Sequence, residues 1–162
     1  IENHMKNTKY KAQPIYENSN FPLILVVEDN ADIAQNAAYA LMKTGYQVTI
    51  SQDATEALDL FAQALAEHRP FSAVFSDVIM PGGPNGLVLA EKISQLHPQT
   101  PVVLTTGYND EMSLNAPENN SFEVLGKPYQ RSELIDRIQA ALSHGSRSGN
   151  GRQTSDFGHA EE

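Results

Sequence analysis

The chain has 162 residues, a net charge of −9, 40% apolar residues and no cysteine, which fits one domain with a substantial core. The acidic charge argues against nucleic acid or an anionic membrane as a partner, since both need clustered Lys and Arg, and the lack of cysteine excludes disulfides and thiolate metal sites. No signal peptide and no apolar run near the roughly 18 residues of a membrane span is present, so a cytoplasmic protein is expected.

Both ends of the chain lack apolar periodicity. Residues 1–20 are polar, and we interpret them as a disordered segment, a linker or the remnant of a cloning vector. Residues 145–162 are rich in Gly, Ser and charge, which predicts a disordered tail. The folded domain is therefore expected over residues 21–144.

Between these ends, strand and helix patterns alternate. Short apolar runs predict five strands, at Leu23–Val27, Gln47–Ile50, Ser72–Ser76, Pro101–Thr106 and Phe122–Gly126. Apolar residues at helical spacing predict helices over residues 31–44, from Asp53 onward, over 86–96 and over 131–142. The first of these helices should bury one face, made of Ile33, Ala34, Ala37, Ala38, Leu41 and Met42.

Two local patterns refine this order. Asp53, with Glu56 three residues later, is typical of a capping box at a helix N-terminus. Pro117 and several Asn residues forbid a long helix after the fourth strand, so a short or irregular fourth helix around Asp110 to Leu114 is predicted. The alternation predicts an α/β fold with a flavodoxin-like, doubly wound, five-stranded parallel sheet of order 2-1-3-4-5.

Ligands of such sheets bind at the carboxyl ends of the strands. These ends carry an acidic group on the first and third strands, hydroxyls on the fourth, and a cation with a proline after the fifth: Glu28, Asp29, Asp77, Thr105, Thr106, Lys127 and Pro128. Converging carboxylates repel one another by roughly 4 kcal/mol per pair at 4 Å, so they predict a proton or a cation between them. Oxygen ligands favour Mg²⁺, and an Asp beside Mg²⁺ is suited to accept a phosphoryl group.

Each of these residues also has an ordinary structural interpretation. Asp77 alone is most simply a turn residue, and Asp29 or Asn30 can cap the next helix. Lys127 can be a solvated charge. The histidines, at positions 4, 68, 97, 144 and 159, show no ligand spacing and are interpreted as surface residues.

The stretches "LVVEDN", "VFSDVIMPGG", "VVLTTGY" and "LGKPY" together resemble the response-regulator receiver domain of two-component signalling. The resemblance implies that Asp77 is phosphorylated by a histidine kinase or a histidine phosphotransfer domain. It further implies that Asp29, Asp77 and the Ile79 carbonyl ligate Mg²⁺, with Glu28 acting through water.

The same resemblance assigns Thr106 as the switch hydroxyl and Lys127 as the partner of the phosphoryl group, before a cis bond to Pro128. Val124 departs from the family, which often has an aromatic residue there, and the loop from Pro81 to Gly86 is one residue longer than its commonest form. "TTGY" and "LGKPY" look most like the C-terminal receiver of hybrid sensor histidine kinases.

The sequence thus predicts a phosphoacceptor receiver that catalyses its own phosphoryl transfer, binds neither nucleic acid nor membrane, and forms at most a weak homodimer. Two alternatives stay open. One is a degenerate receiver that acts only as a docking module. The other is an aspartate-nucleophile phosphatase, which usually carries a second acid where this chain has Ile79.

Overall fold

The central element of the fold is a five-stranded parallel sheet. The computed structural model describes residues 21–107 and 122–143. Its strands are β1 (Leu23–Val27), β2 (Gln47–Ser51), β3 (Ala73–Asp77), β4 (Val102–Thr106) and β5 (Glu123–Gly126). They pair in the order β2-β1-β3-β4-β5, which confirms the predicted topology.

Helices cover both faces of this sheet. They are α1 (Ala31–Lys43), α2 (Ala54–Ala66), α3 (Gly86–Leu96) and α4, over residues 131–143. One core cluster joins the sheet to α2 and α3 around Phe61, and the other joins it to α1 and α4 around Leu41. Because both faces are covered, β3 and β4 are buried along their whole length.

Side-chain caps define where three of the helices begin. Asn30, Asp53 and Asn85 each accept a hydrogen bond from a backbone N–H in the first turn of α1, α2 and α3, respectively. The Asp53 cap confirms one half of the predicted capping box. In the other half, the Glu56 carboxylate accepts from the N–H of Gln52 at 3.0 Å, one residue earlier than the N-cap itself.

Several sequence predictions need correction or lie outside the described residues. Ile33 and Met42 were predicted to face the core, but each side chain is 38% exposed, because the buried stripe of α1 is the narrower row of alanines and Leu41. His97 is half-buried rather than on the surface, with Nδ1 2.9 Å from Thr100 Oγ1. The predicted short helix at 110–114 and the predicted terminal segments lie outside the described residues.

The predicted strand limits differ from the structure by one residue at four of the five strands. The third strand, for example, was predicted to begin at Ser72, whereas β3 begins at Ala73 and includes Asp77. Asp77 is thus the last residue of a buried strand, at the carboxyl edge where the sequence analysis places it.

Candidate functional site

Three carboxylates meet at the carboxyl edge of the sheet. Glu28 and Asp29 directly follow β1, and Asp77 ends β3, the strand beside it. One oxygen from each side chain lies within 4.8 Å of the others, as the sequence predicts. Glu28 and Asp77 are each only 5% exposed, whereas Asp29 is exposed.

Lys127 supplies a positive charge at this cluster. It follows β5, and its Nζ lies 3.1 Å from Asp77 Oδ2 in a half-buried ion pair. Its own N–H donates to the carbonyl of Thr106 at 2.8 Å, which fixes the backbone of this residue against β4. The Lys127–Pro128 peptide bond is cis, as the resemblance to receiver domains implies.

The charges of the cluster affect the protonation of Glu28. Burial raises the pKa of Glu28 to about 7, and the negative charge of Asp77 adds to this effect. The hydrogen bond that the N–H of Asn30 donates to Glu28 Oε2 at 3.0 Å acts in the opposite direction. The positive charge of Lys127 cannot neutralise three carboxyl groups, so this edge of the sheet is suited to a further cation.

These donors fit Mg²⁺. Carboxylate oxygens are the ligands that Mg²⁺ prefers, and the set contains no nitrogen or sulfur atom that would select a softer metal. Two buried carboxylates beside an exposed one leave the cluster open to solvent on one side. An ion there would meet protein oxygens on one side and solvent on the other.

The backbone at Asp77 is held by its neighbours on both sides. The N–H of Val78 donates to the Thr105 carbonyl at 3.0 Å, and the N–H of Gly86 donates to the Val78 carbonyl at 2.7 Å. The Ser76 hydroxyl donates to the Asp77 carbonyl at 2.9 Å. These bonds fix the backbone that carries the Asp77 carboxylate.

Gly86 makes the same arrangement possible from the helix side. A Cβ atom at this residue would collide with the carbonyl oxygen of Asp77 and would lie 3.0 Å from Ser76 Oγ. Only glycine allows the first residue of α3 to approach the end of β3 this closely. The sequence pattern gave no signal for this contact, because Gly86 read simply as the start of a helix.

The remaining predicted site residues lie around this centre. Thr106 is buried at the end of β4, and its hydroxyl donates to the carbonyl of Gly107 at 2.9 Å. Ile79, two residues after Asp77, is 47% exposed. Val124 is half-buried against the α2–α3 core, and its carbonyl accepts from Arg137 Nη1 at 2.6 Å.

Tyr129 is a further residue of the site that the sequence analysis did not single out. Its ring packs edge-on against Phe75 of β3, with centroids 5.8 Å apart. Burial, together with the negative charges of Glu28 and Asp77, raises the pKa of Tyr129 to about 12. Its phenol therefore stays neutral, and its place at the end of "LGKPY" was the available signal.

Tyr129 and Lys127 also line a cavity of about 510 Å³ between α1 and α4. The other lining residues are mostly apolar and include Ile33, Pro128 and Leu134. Lys127 connects this cavity to the acidic cluster, because it lines the cavity and its Nζ pairs with Asp77.

Comparisons with known proteins point in one direction. Residues 24–139 match the family model of the response regulator receiver domain. The chain is 32% identical over 123 residues to the DNA-binding transcriptional regulator NtrC of Escherichia coli (strain K12), covering 75% of this chain and 25% of NtrC. It is 34% identical over 136 residues to the uncharacterized transcriptional regulatory protein YkoG of Bacillus subtilis (strain 168), covering 83% of this chain and 55% of YkoG.

Solved structures agree with the sequence comparisons. The signal receiver domain of an HD domain-containing protein from Pseudomonas fluorescens Pf-5 has a TM-score of 0.69 and 28% identity, covering 82% of this chain and 94% of that one. The CheY-like receiver domain protein from Methanospirillum hungatei JF-1 has a TM-score of 0.66 and 25% identity, covering 80% and 99%. The chain thus matches whole receiver domains, but spans only about a quarter to a half of the regulators above.

Proposed function

The chain belongs to the response regulator receiver domain family, and we propose that it is the phosphoacceptor receiver of a two-component phosphorelay. In this proposal a histidine kinase or a histidine phosphotransfer domain phosphorylates Asp77 in a Mg²⁺-dependent reaction. The observation that carries the proposal is the cluster of Glu28, Asp29 and Asp77, whose ligand atoms lie within 4.8 Å of one another, with Lys127 on Asp77.

The chemistry assigned to Asp77 is nucleophilic attack on phosphorus. A carboxylate oxygen would form the new bond to phosphorus while the phosphorus–nitrogen bond of the donor phosphohistidine breaks, and its electron pair would stay on the ring nitrogen. Bound Mg²⁺ would neutralise charge on the transferring oxygens. Lys127 would follow the negative charge from Asp77 to the phosphoryl group, and the Thr106 hydroxyl would turn from the Gly107 carbonyl towards it.

The metal ligands are proposed by analogy with the family and from the donor set. Asp29 and Asp77 would bind the ion directly, the Ile79 carbonyl would add a third protein ligand, and Glu28 would act through water. The raised pKa of Glu28 supports an indirect role, since a carboxyl that ionises near pH 7 is a weaker anchor than one that is always charged.

Phosphorylation would act on the partner through a population shift. A phosphoryl group adds roughly two negative charges at neutral pH, and the residues that would respond to it are Thr106, at the end of β4, and Lys127, directly after β5. We expect this response to include Lys127, whose N–H and Nζ connect the β5 end to both β4 and Asp77.

The experiment that tests the proposal is phosphorylation with a small-molecule donor. Acetyl phosphate and Mg²⁺ should add one phosphoryl group by intact mass, and chelating the ion with EDTA should abolish the addition. Asp77→Asn should show no addition, whereas Asp136→Asn, at an exposed position of α4, should behave as wild type. Unchanged labelling of Asp77→Asn would refute the assignment.

The same assay separates the alternatives. A docking module would take up no phosphoryl group and show no Mg²⁺-dependent change in melting temperature. An aspartate-nucleophile phosphatase would turn over phosphate esters many times. The side chain at Ile79 offers no acid for such turnover, which favours the receiver.

The parent protein is a separate part of the proposal. The motifs "TTGY" and "LGKPY" favour the C-terminal receiver of a hybrid histidine kinase, a cytoplasmic segment, whereas the relatives described above are transcriptional regulators. In the described residues, no helix is long and apolar enough to cross a membrane. The full gene distinguishes the two, because a kinase core would precede residue 1 in a hybrid kinase. A weak homodimer would appear as concentration-dependent mass in sedimentation.

A further inference from the structure

One buried hydroxyl near the site has no hydrogen-bond partner. Thr105, in β4, is 1% exposed, and its Oγ1 bonds to nothing in the part of the chain that the structure describes. The two other buried threonines there are satisfied: Thr100 donates to the Phe71 carbonyl at 3.0 Å, and Thr106 donates to the carbonyl of the next residue. An unsatisfied buried hydroxyl destabilises a fold, so a hydroxyl at this place needs an explanation.

The position of Thr105 links it to the acceptor. Thr105 is the register partner of Asp77 across the β3–β4 pair. Paired residues of parallel strands lie on the same face of a sheet, on strands about 4.8 Å apart. Val103 and Phe75, two residues earlier on each strand, both belong to the core beneath α1 and α4. Thr105 and Asp77 therefore continue that row at the carboxyl edge.

Thr106 lies on the opposite face. Leu104 belongs to the core beneath α2 and α3, and Thr106 follows it by two residues, so it shares that face. Val124, which packs against the same core, stands where the family often has an aromatic residue to couple with the switch hydroxyl. On the Thr105 face, by contrast, an aromatic ring is present, since Tyr129 packs on Phe75.

We propose that Thr105 is a positioning residue of the phosphorylation site, whose hydroxyl donates a hydrogen bond to the Asp77 carboxyl once Asp77 carries a phosphoryl group. At rest, Lys127 Nζ holds Asp77 Oδ2 at 3.1 Å. A phosphoryl group brings new negative charge and three acceptor oxygens, which attract the ammonium away from the carboxyl. The carboxyl oxygen then loses a donor, and the unsatisfied Thr105 hydroxyl on the neighbouring strand replaces it. Thr105 itself forms no covalent bond.

The inference rests on the proposed function, and beryllofluoride provides its test, since this ion stands in for the phosphoryl group on Asp77. Thr105→Val removes the hydroxyl and keeps the branched shape. The resting domain of this variant should melt a few degrees higher than wild type, because a methyl group replaces an unsatisfied hydroxyl. Its affinity for beryllofluoride in Mg²⁺, measured by calorimetry, should fall about tenfold, the equivalent of one hydrogen bond of about 1.4 kcal/mol. Thr105→Ser should retain the wild-type affinity.

Thr100→Val is the matched control, because Thr100 is also buried but satisfied, and it lies just before the opposite end of β4. It should melt lower than wild type and bind beryllofluoride within about twofold of it. The role of Thr105 is overturned if Thr105→Val also melts lower, or if its affinity stays within twofold of wild type. Wild type that binds no beryllofluoride and takes up no phosphoryl group from acetyl phosphate would refute the proposed function itself.

Discussion

The stability of the metal-free domain should depend on pH through Glu28. Its pKa is raised from an ordinary value near 4.5 to about 7, chiefly by burial. Below about pH 4.5 the side chain is protonated in both the folded and the unfolded chain. Between about pH 4.5 and 7 the folded state keeps a proton that the unfolded chain gives up, so the free energy of unfolding falls as pH rises. The loss approaches about 3 kcal/mol above pH 7.

The assay is urea denaturation in EDTA at pH values from 5 to 8, on wild type and Glu28→Gln. The amide of the variant can still accept the hydrogen bond from the N–H of Asn30, so the local backbone is retained. Wild type should lose about 2.5 kcal/mol more than the variant over this interval, because a small part of the effect has already occurred at pH 5. Glu91→Gln, at an exposed position of α3, controls for the loss of one negative charge and should follow wild type.

Magnesium extends the same prediction. The ion should raise the melting temperature more at pH 8 than at pH 5.5, because a deprotonated Glu28 completes the set of negative charges around it. The reasoning is refuted if wild type and Glu28→Gln show parallel stability profiles in EDTA. Such profiles would mean that solvent reaches Glu28 well enough to remove the effect of its burial.

Two further substitutions test the local structure. Gly86→Ala should lower the free energy of unfolding by about 1–3 kcal/mol in urea, because its Cβ would collide with the Asp77 carbonyl; a change below about 0.5 kcal/mol would contradict this packing. Asp53→Ala should cost about 1 kcal/mol in the same assay, since it removes the 2.7 Å hydrogen bond from the N–H of Glu56. An equal loss in Asp59→Ala, at an exposed position of α2, would exclude a capping effect.

The sheet could be predicted because its information is local. β1 is a continuous apolar run, the other strands are short segments with an apolar centre or start, and the Asp53 cap marks the beginning of α2. Element type and order therefore follow from short windows of sequence. The burial of α1 could be predicted only in part. Ile33 and Met42 fit the helical period but lie outside the buried face of α1. The width of that face depends on how α1 packs against the sheet and α4.

The site shows the same division. The acidic residues and Lys127 could be predicted because parallel strands bring their carboxyl ends to one edge, whatever the details of packing. The contact of Gly86 with Asp77 could not be predicted, because it depends on the angle between α3 and β3. The unsatisfied hydroxyl of Thr105 could not be predicted either, since two consecutive threonines in a strand agree with ordinary β-propensity.

The backbone and the side chain of Asp77 are held by different parts of the fold. The Asp77 carbonyl accepts from Ser76 of β3, and the Val78 carbonyl accepts from Gly86 of α3, which also lies close to Asp77. The Asp77 carboxylate, in contrast, forms an ion pair with Lys127, which directly follows β5. A charge added to Asp77 would leave the first set of contacts intact and would act on the second. The change would therefore pass to β5 and the loop beyond it, while β3 stays in place.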